Sequence, residues 1–331
     1  MKMTLQFRKV LFFLVVFSWQ GITTTSAADL PYGWKNEWPK TDFSKHIVKY
    51  DEIMSGGPPK DGIPSIDDPV FEKIIEIDNI APTEPVVGVV INGKAKAYPL
   101  RVLTWHEIVN DKLGGIPITV TYCPLCNSSI VFDRRLDGKI LDFGTTGKLR
   151  NSDLVMYDRQ TESWWQQFLG KGIIGEMSGK LLKMLPSRLE SFASFKKRAP
   201  NGLVLVPRHG FIRPYGSNPY VGYDTNVSPF LYGGPMPKGI KPMVRVIAVN
   251  QEAWSLPLLR KKGRIEKGDL VIKWAKGQNS ALDTRKIAKG RDVGNVIVQR
   301  KKNGTLVDEV YDVTFAFVFH AFRPNGKIYT K

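Results

Sequence analysis

The sequence predicts an α+β, β-rich fold built from many short antiparallel strands and a few short helices. Short β-branched and apolar runs recur between turn residues, as in Val86–Ile91, Ile116–Val120, Ile130–Asp133, Leu154–Asp158 and Leu203–Val206. Two of the turns, Asn92-Gly93 and Asp137-Gly138, are two-residue hairpin signals, because both central positions need positive φ. The regular strand–helix alternation of a doubly wound parallel sheet is absent.

The chain opens on a basic start, Lys2, Arg8 and Lys9, followed by the wholly apolar run Val10 to Phe17 and the small residues Ser26-Ala27-Ala28. That order predicts a signal peptide over 1–28 and an exported protein, periplasmic or extracellular. The apolar run is shorter than the roughly 18 residues needed to span a bilayer, and no later stretch reaches that length. Residues 29–80 read as a loop-rich segment, with Ser55-Gly56-Gly57-Pro58-Pro59-Lys60-Asp61-Gly62-Ile63-Pro64 as a packed connector laid over the next module.

Residues 81–235 read as a cysteine-containing module. After the Asn92-Gly93 hairpin, Thr104-Trp105-His106-Glu107 has capping-box spacing, which predicts a short helix starting at Thr104, with His106 in its first turn. The positive end of that helix would keep the imidazole neutral and able to ligate a metal or accept a proton. The same spacing at Ser163–Gln166 and Ser187–Glu190 predicts two more helix starts. Gly144-Thr145-Thr146-Gly147 reads as a turn, and Trp164-Trp165 reads as core.

The only two cysteines stand in Thr121-Tyr122-Cys123-Pro124-Leu125-Cys126-Asn127-Ser128-Ser129. With a strand before and after, a Cys-Pro-Leu-Cys turn puts both sulfurs on one side of a knuckle, where two thiolates can bind one ion. The chain has four histidines. Of these His106 is the best candidate third ligand, and His209 and His320 are weaker candidates; two thiolates and an imidazole suit copper or zinc. Three other readings stay open. C-x-x-C is also the spacing of thiol–disulfide exchange, although the β-prone Ile130-Val131-Phe132 replaces the helix that usually follows. A Cys123 nucleophile with His106 as base and Glu107 or Asp133 as orienter would give hydrolysis or group transfer without metal. A local disulfide in a structural or binding module is the third.

Residues 236–331 read as a basic, β-rich part. Lys238 to Lys302 holds 17 Lys or Arg against five Asp or Glu, and the formal charge of +17 becomes +14 without Lys2, Arg8 and Lys9. Such a surface can meet anionic envelope polymers or lipid head groups; export makes nucleic acid a poor partner. Val86–Leu100 aligns without gaps to Val244–Leu258 at an offset of 158, with five identities; at a slightly different offset Asn127-Ser128 matches Asn279-Ser280, which puts Cys123 and Cys126 opposite Ala275 and Gln278. This predicts a degenerate internal duplication whose second copy lacks the cysteines. Val310 to Phe319 reads as a strand.

Four of these segments together resemble the bacterial and archaeal family called domain of unknown function 3179. They are the Ser55–Pro64 loop, Ala97-Tyr98-Pro99-Leu100 with Trp105-His106-Glu107, the Thr121–Asp133 cysteine segment, and Phe143-Gly144-Thr145-Thr146-Gly147 with Leu154–Arg159. The resemblance is clearest over residues 50–230, and Phe317 to Pro324 is similar to the family's ending. It implies that these segments form one module and carries no activity with it.

Overall fold

The computed structural model describes residues 30–208 and 212–331. The signal-peptide reading and His209 fall outside the described residues. The described chain forms five sheets of four or five strands and one two-stranded ribbon, arranged like the blades of a five-bladed propeller. Five α-helices accompany them among the described residues, none longer than seven residues. The β-rich part of the expectation holds, and α+β describes the whole only loosely, because the helices are short turns at strand ends rather than a layer. None of the described helices is long and apolar enough to cross a membrane.

Both predicted hairpins form. Pro85–Ile91 pairs with Lys94–Pro99 around Asn92-Gly93, and Arg135–Leu136 pairs with Lys139–Ile140 around Asp137-Gly138. All four turn residues have positive φ, which is the conformation those residue types tolerate.

The three capping-box readings fail. The first helix of the module runs over Leu100–His106, so it ends where it was expected to begin. Thr104 does not cap; its hydroxyl donates back to the Leu100 carbonyl four residues earlier. Trp164–Gln166 is a strand, and Ser187–Ser191 is a strand followed by a helix over Phe192–Arg198. There Ser191, rather than Ser187, is the N-cap and accepts from the Ser194 amide. At both of these sites pairing with a neighbouring strand satisfies the backbone that a helix would have used. Gly144 to Gly147 lies within the strand Phe143–Arg150, which is bulged between Thr145 and Lys148. The expected closing strand is split into Asp312–Phe315 and a helix over Ala316–Phe322.

The internal repeat is visible as topology. Arg245–Val249 and Glu252–Ser255 pair in the register of the first hairpin: Ile247 faces Trp254 as Val89 faces Lys96. A seven-residue helix follows each hairpin, Leu100–His106 in one and Leu256–Lys262 in the other. A second antiparallel pair follows each helix, Ile108–Leu113 with Ile116–Cys123 and Arg264–Lys267 with Leu270–Ala275. Each half also closes alike, with a strand antiparallel to its first hairpin strand, a seven-residue helix and a strand parallel to its second. The copies diverge after the fourth strand. Cys123 pairs with Ser128 across the four-residue turn, whereas Ala275 pairs with Asn295. Asn295, and not Ser280, therefore takes the place of Ser128.

The halves share their interior. One apolar cluster joins Val87, Tyr98 and Val120 to Ile247, Trp254 and Ile272. A second joins Cys123, Cys126 and Met156 to Phe315, Phe317 and Val318. The segment before residue 80 contributes Trp38, Phe43 and Tyr50 to a third cluster, packed on Tyr157 and Trp164. A buried ionic knot ties the halves as well: Arg245 lies 2.8 Å from Asp224, which Arg291 approaches to 2.7 Å and Ser280 caps with its hydroxyl. Arg245→Leu leaves Asp224 buried with only the more exposed Arg291 and the Ser280 hydroxyl, and is expected to cost about 3 kcal/mol in urea unfolding, because a buried charge that loses its buried partner outweighs the gain in apolar packing.

Candidate metal centre

The strand Ile116–Cys123 is central in its sheet, flanked by Ile108–Leu113 and Ser128–Asp133. It ends at Cys123. The next residues form a tight turn in which the Cys126 amide donates to Cys123 O and the Asn127 amide to Pro124 O. Asn127 takes positive φ, its side chain donates to Val313 O, and the chain re-enters the sheet at Ser128. The knuckle expected between two strands is thus present, and the other half of the protein clamps it. Phe315 N and the Thr314 hydroxyl both donate to Cys126 O, and the Tyr223 hydroxyl donates to Leu125 O.

Both cysteines are free thiols and fully buried. They converge on Ser152 O, at 3.7 Å from Cys123 Sγ and 3.4 Å from Cys126 Sγ. Ser152 and Asn151 form the hairpin turn between Phe143–Arg150 and Asp153–Asp158, and both take positive φ. That turn also delivers Asp153. One Asp153 oxygen and the sulfurs of Cys123 and Cys126 lie within 4.8 Å of one another, all three residues buried, so this group can hold a metal ion.

Asp153 is oriented by its neighbours. Its Oδ2 accepts from Gln166 Nε2 at 2.6 Å and from the Phe168 amide at 2.9 Å, while Oδ1 is buried without a partner. Gln166 is held in turn by Arg150, which pairs with Glu52. Such an outer layer fixes a ligand's direction before a metal arrives.

The electrostatics of the group are one-sided. Burial pushes the Asp153 carboxyl up to about 6. It pushes the Glu107 carboxyl up to about 8, with the Asp153 charge adding to the effect. Burial likewise raises both thiols, Cys126 most, with Asp153 adding repulsion. Asp312, whose Oδ1 accepts from the Ser129 amide, is pushed up to about 7 by burial, and its Oδ2 has no partner. Among the described residues no lysine, arginine or histidine pairs with Asp153 or Glu107.

The sequence-predicted ligands separate. Cys123 and Cys126 are together, and Asp153 is the third member. His106 stands outside this group. Its Nδ1 lies 2.7 Å from Pro64 O and its Nε2 2.7 Å from the Tyr215 hydroxyl. A carbonyl only accepts, so Nδ1 carries the proton and Nε2 accepts from Tyr215. The expected cause of a neutral ring is absent: His106 sits in the last turn of its helix, where the helix end favours charge, and it is burial that lowers its pKa. His320 is half-buried on the helix Ala316–Phe322 and has no place in the group. Asp133 pairs with Arg135. Asp153 escapes sequence reasoning because its only local signal is an Asn-Ser turn before an apolar strand, and nothing in that pattern says that the turn reaches Cys126.

A pocket opens onto Cys123. Gly56, Pro58 and Ile63 of the 55–64 segment line it together with Glu107, Pro124, Leu125 and Tyr220. The Ser55–Pro64 segment is therefore more than a connector. It is held there by Phe143–Gly147: the Gly56 amide donates to Gly147 O, the Asp61 amide to Thr145 O, and the Thr145 hydroxyl to Ile63 O. Gly147 has φ +70, and a Cβ on it would lie 1.9 Å from Pro58 O. Gly147→Ala should cost about 2 kcal/mol or more by denaturant unfolding and expose the 55–64 loop to proteolysis.

Fold and site together define a β-rich, internally repeated protein with a buried pair of cysteines and an aspartate beneath a loop-walled pocket. The chain belongs to the family described as Protein of unknown function (DUF3179), whose model matches residues 60–326. The match runs through the basic stretch beyond residue 235, consistent with the cores the two halves share. No curated protein and no solved structure matches the chain.

Proposed function

We propose that the protein is a metal-binding module whose centre takes one zinc ion on Cys123, Cys126 and Asp153, with a fourth position open toward the pocket. The observation that carries this reading is the convergence of two thiols, a carboxylate and a carbonyl in a buried space that no protein cation enters among the described residues. A divalent ion would relieve that repulsion, and deprotonation of the thiols on binding is the usual behaviour of such ligands. The carboxylate favours zinc over cuprous copper, which prefers purely soft donors. Three protein ligands with an open position is the pattern of catalytic rather than structural zinc.

Disulfide exchange is less well supported. It requires a thiolate, and burial beside Asp153 disfavours one at both cysteines. The notion of an exported protein with a basic face for anionic polymers or lipid head groups remains part of the proposal and rests on the N-terminal pattern and the charge excess alone.

The test is metal content. Protein purified from its native compartment without chelator should carry about one equivalent of zinc, and Cys126→Ser should carry none. A wild-type protein that neither carries zinc nor takes it up in titration would overturn the reading.

A further inference from the structure

Glu107 occupies a backbone position that the fold supplies twice. It follows the last residue of the helix Leu100–His106, with φ 57 and ψ −33. The equivalent residue after the helix Leu256–Lys262 is Gly263, with φ 68 and ψ −35. The hydrogen bonds agree as well. The Glu107 amide donates to Leu103 O and the Gly263 amide to Leu259 O. Glu107 O accepts from the Tyr122 amide at 2.8 Å, and Gly263 O accepts from the Trp274 amide at 2.9 Å. Tyr122 and Trp274 each precede the last residue of their strands, Cys123 and Ala275.

The two halves thus form an internal comparison. Where the strand ends in Ala275, the strained position holds glycine, the residue that adopts it without steric penalty. Where the strand ends in Cys123, the position holds a glutamate, which adopts the same conformation at a cost in strain. The backbone does not need a side chain there, so what Glu107 adds to this position is its carboxyl group.

That carboxylate is in an unusual setting. Glu107 is 8 % exposed, and it lines the pocket together with Cys123 and Tyr220. Among the described residues no hydrogen bond or ion pair reaches its side-chain oxygens. The one ammonium on the pocket wall, Lys148, is paired with Glu37 at 2.8 Å. The rest of the wall is mostly apolar, with Ile63, Pro124, Leu125, Leu149 and Leu154. A carboxyl group that the described protein groups leave without a donor, on the wall of a pocket, can be met by a molecule that brings one.

We propose that this pocket binds a small, largely apolar molecule carrying an N–H or O–H donor, and that Glu107 is the group that receives the donor and holds the molecule against the Cys123 side of the centre. This goes beyond the zinc reading and does not depend on it, since Glu107 lies outside the three-ligand group.

The experiment compares wild type with Glu107→Gly and Glu107→Gln in three measurements on the full chain. Ligand-observed NMR with n-butylamine, n-butanol and diethyl ether reads binding; the wild type should bind a donor-bearing probe at least about tenfold more tightly than the ether, and both variants should lose that preference. Thermal unfolding reads the backbone; Glu107→Gly should raise the Tm by about 2 °C or more, because glycine relaxes the strain. Metal analysis should give the same content in all three proteins. A fall in Tm for Glu107→Gly would make Glu107 structural and overturn the proposal. Loss of metal in the variants would make it a ligand, with the same consequence. Equal binding of all probes, or of none, by the wild type would overturn it too. A metal-free wild type that still prefers the donor-bearing probe would sink the zinc reading and leave this one standing.

Discussion

The metal-free protein is expected to lose stability as pH rises from 5 to 8, and the zinc-loaded protein to gain it. In the unfolded chain Asp153 and Asp312 ionise near 3.8 and Glu107 near 4.5; in the fold they ionise near 6, 7 and 8. Between those limits the native state holds more protons than the unfolded state, so stability falls as pH rises. Asp153 contributes to the fall up to about pH 6, Asp312 up to about 7 and Glu107 up to about 8. His106, whose pKa burial lowers, acts in the opposite sense around its ordinary value of 6.5. Zinc reverses the slope because it displaces protons. With two thiols to deprotonate, stabilisation at fixed free zinc should grow by up to about 2.7 kcal/mol per pH unit. Thermal unfolding of chelated and zinc-loaded protein across this range is the measurement. Parallel slopes in the two forms would mean that zinc does not bind at the buried acids.

Asp153→Asn is expected to weaken zinc binding by about a hundredfold or more while leaving cuprous binding within a few-fold of wild type. The amide keeps the shape and can still accept from Gln166 and the Phe168 amide, but it removes the charge and the hard oxygen that favour zinc. Competition against a chromophoric chelator, run separately for each metal, reads both affinities. If zinc binding survives, Asp153 is not a ligand; if cuprous binding falls as far as zinc binding, the carboxylate does not choose between them. The aspartate sits on a hairpin turn held by Ser152 Oγ to Phe230 O, a bond the substitution leaves in place.

How much is legible without the fold differs from element to element. The Asn92-Gly93 and Asp137-Gly138 hairpins, the strands leading to and from the cysteines, and the knuckle itself depend on local chemistry. Positive φ at a two-residue turn and β-branched runs beside it act over a few residues, so the chain writes them plainly. The helix starts at Thr104, Ser163 and Ser187 are not legible in the same way. A capping box is also a local signal, but strand pairing can take the same backbone groups, and it does so at Trp164–Gln166 and Ser187–Ser191. The repeat is readable as five matches in fifteen residues and becomes definite only through its shared register and hydrogen bonds.

The sequence by itself determined a β-rich chain, its hairpins and its single cysteine knuckle, because short-range turn and strand preferences suffice for those. Only the tertiary structure decided what stands beside the sulfurs. It turned His106 away to Pro64 and Tyr215, and brought Asp153 in on a hairpin about thirty residues further along the chain. It also laid the 55–64 loop over the pocket through contacts with Gly147 and Thr145. Those partners are chosen by the packing of distant strands into common cores, a property of the whole chain that no local spacing encodes.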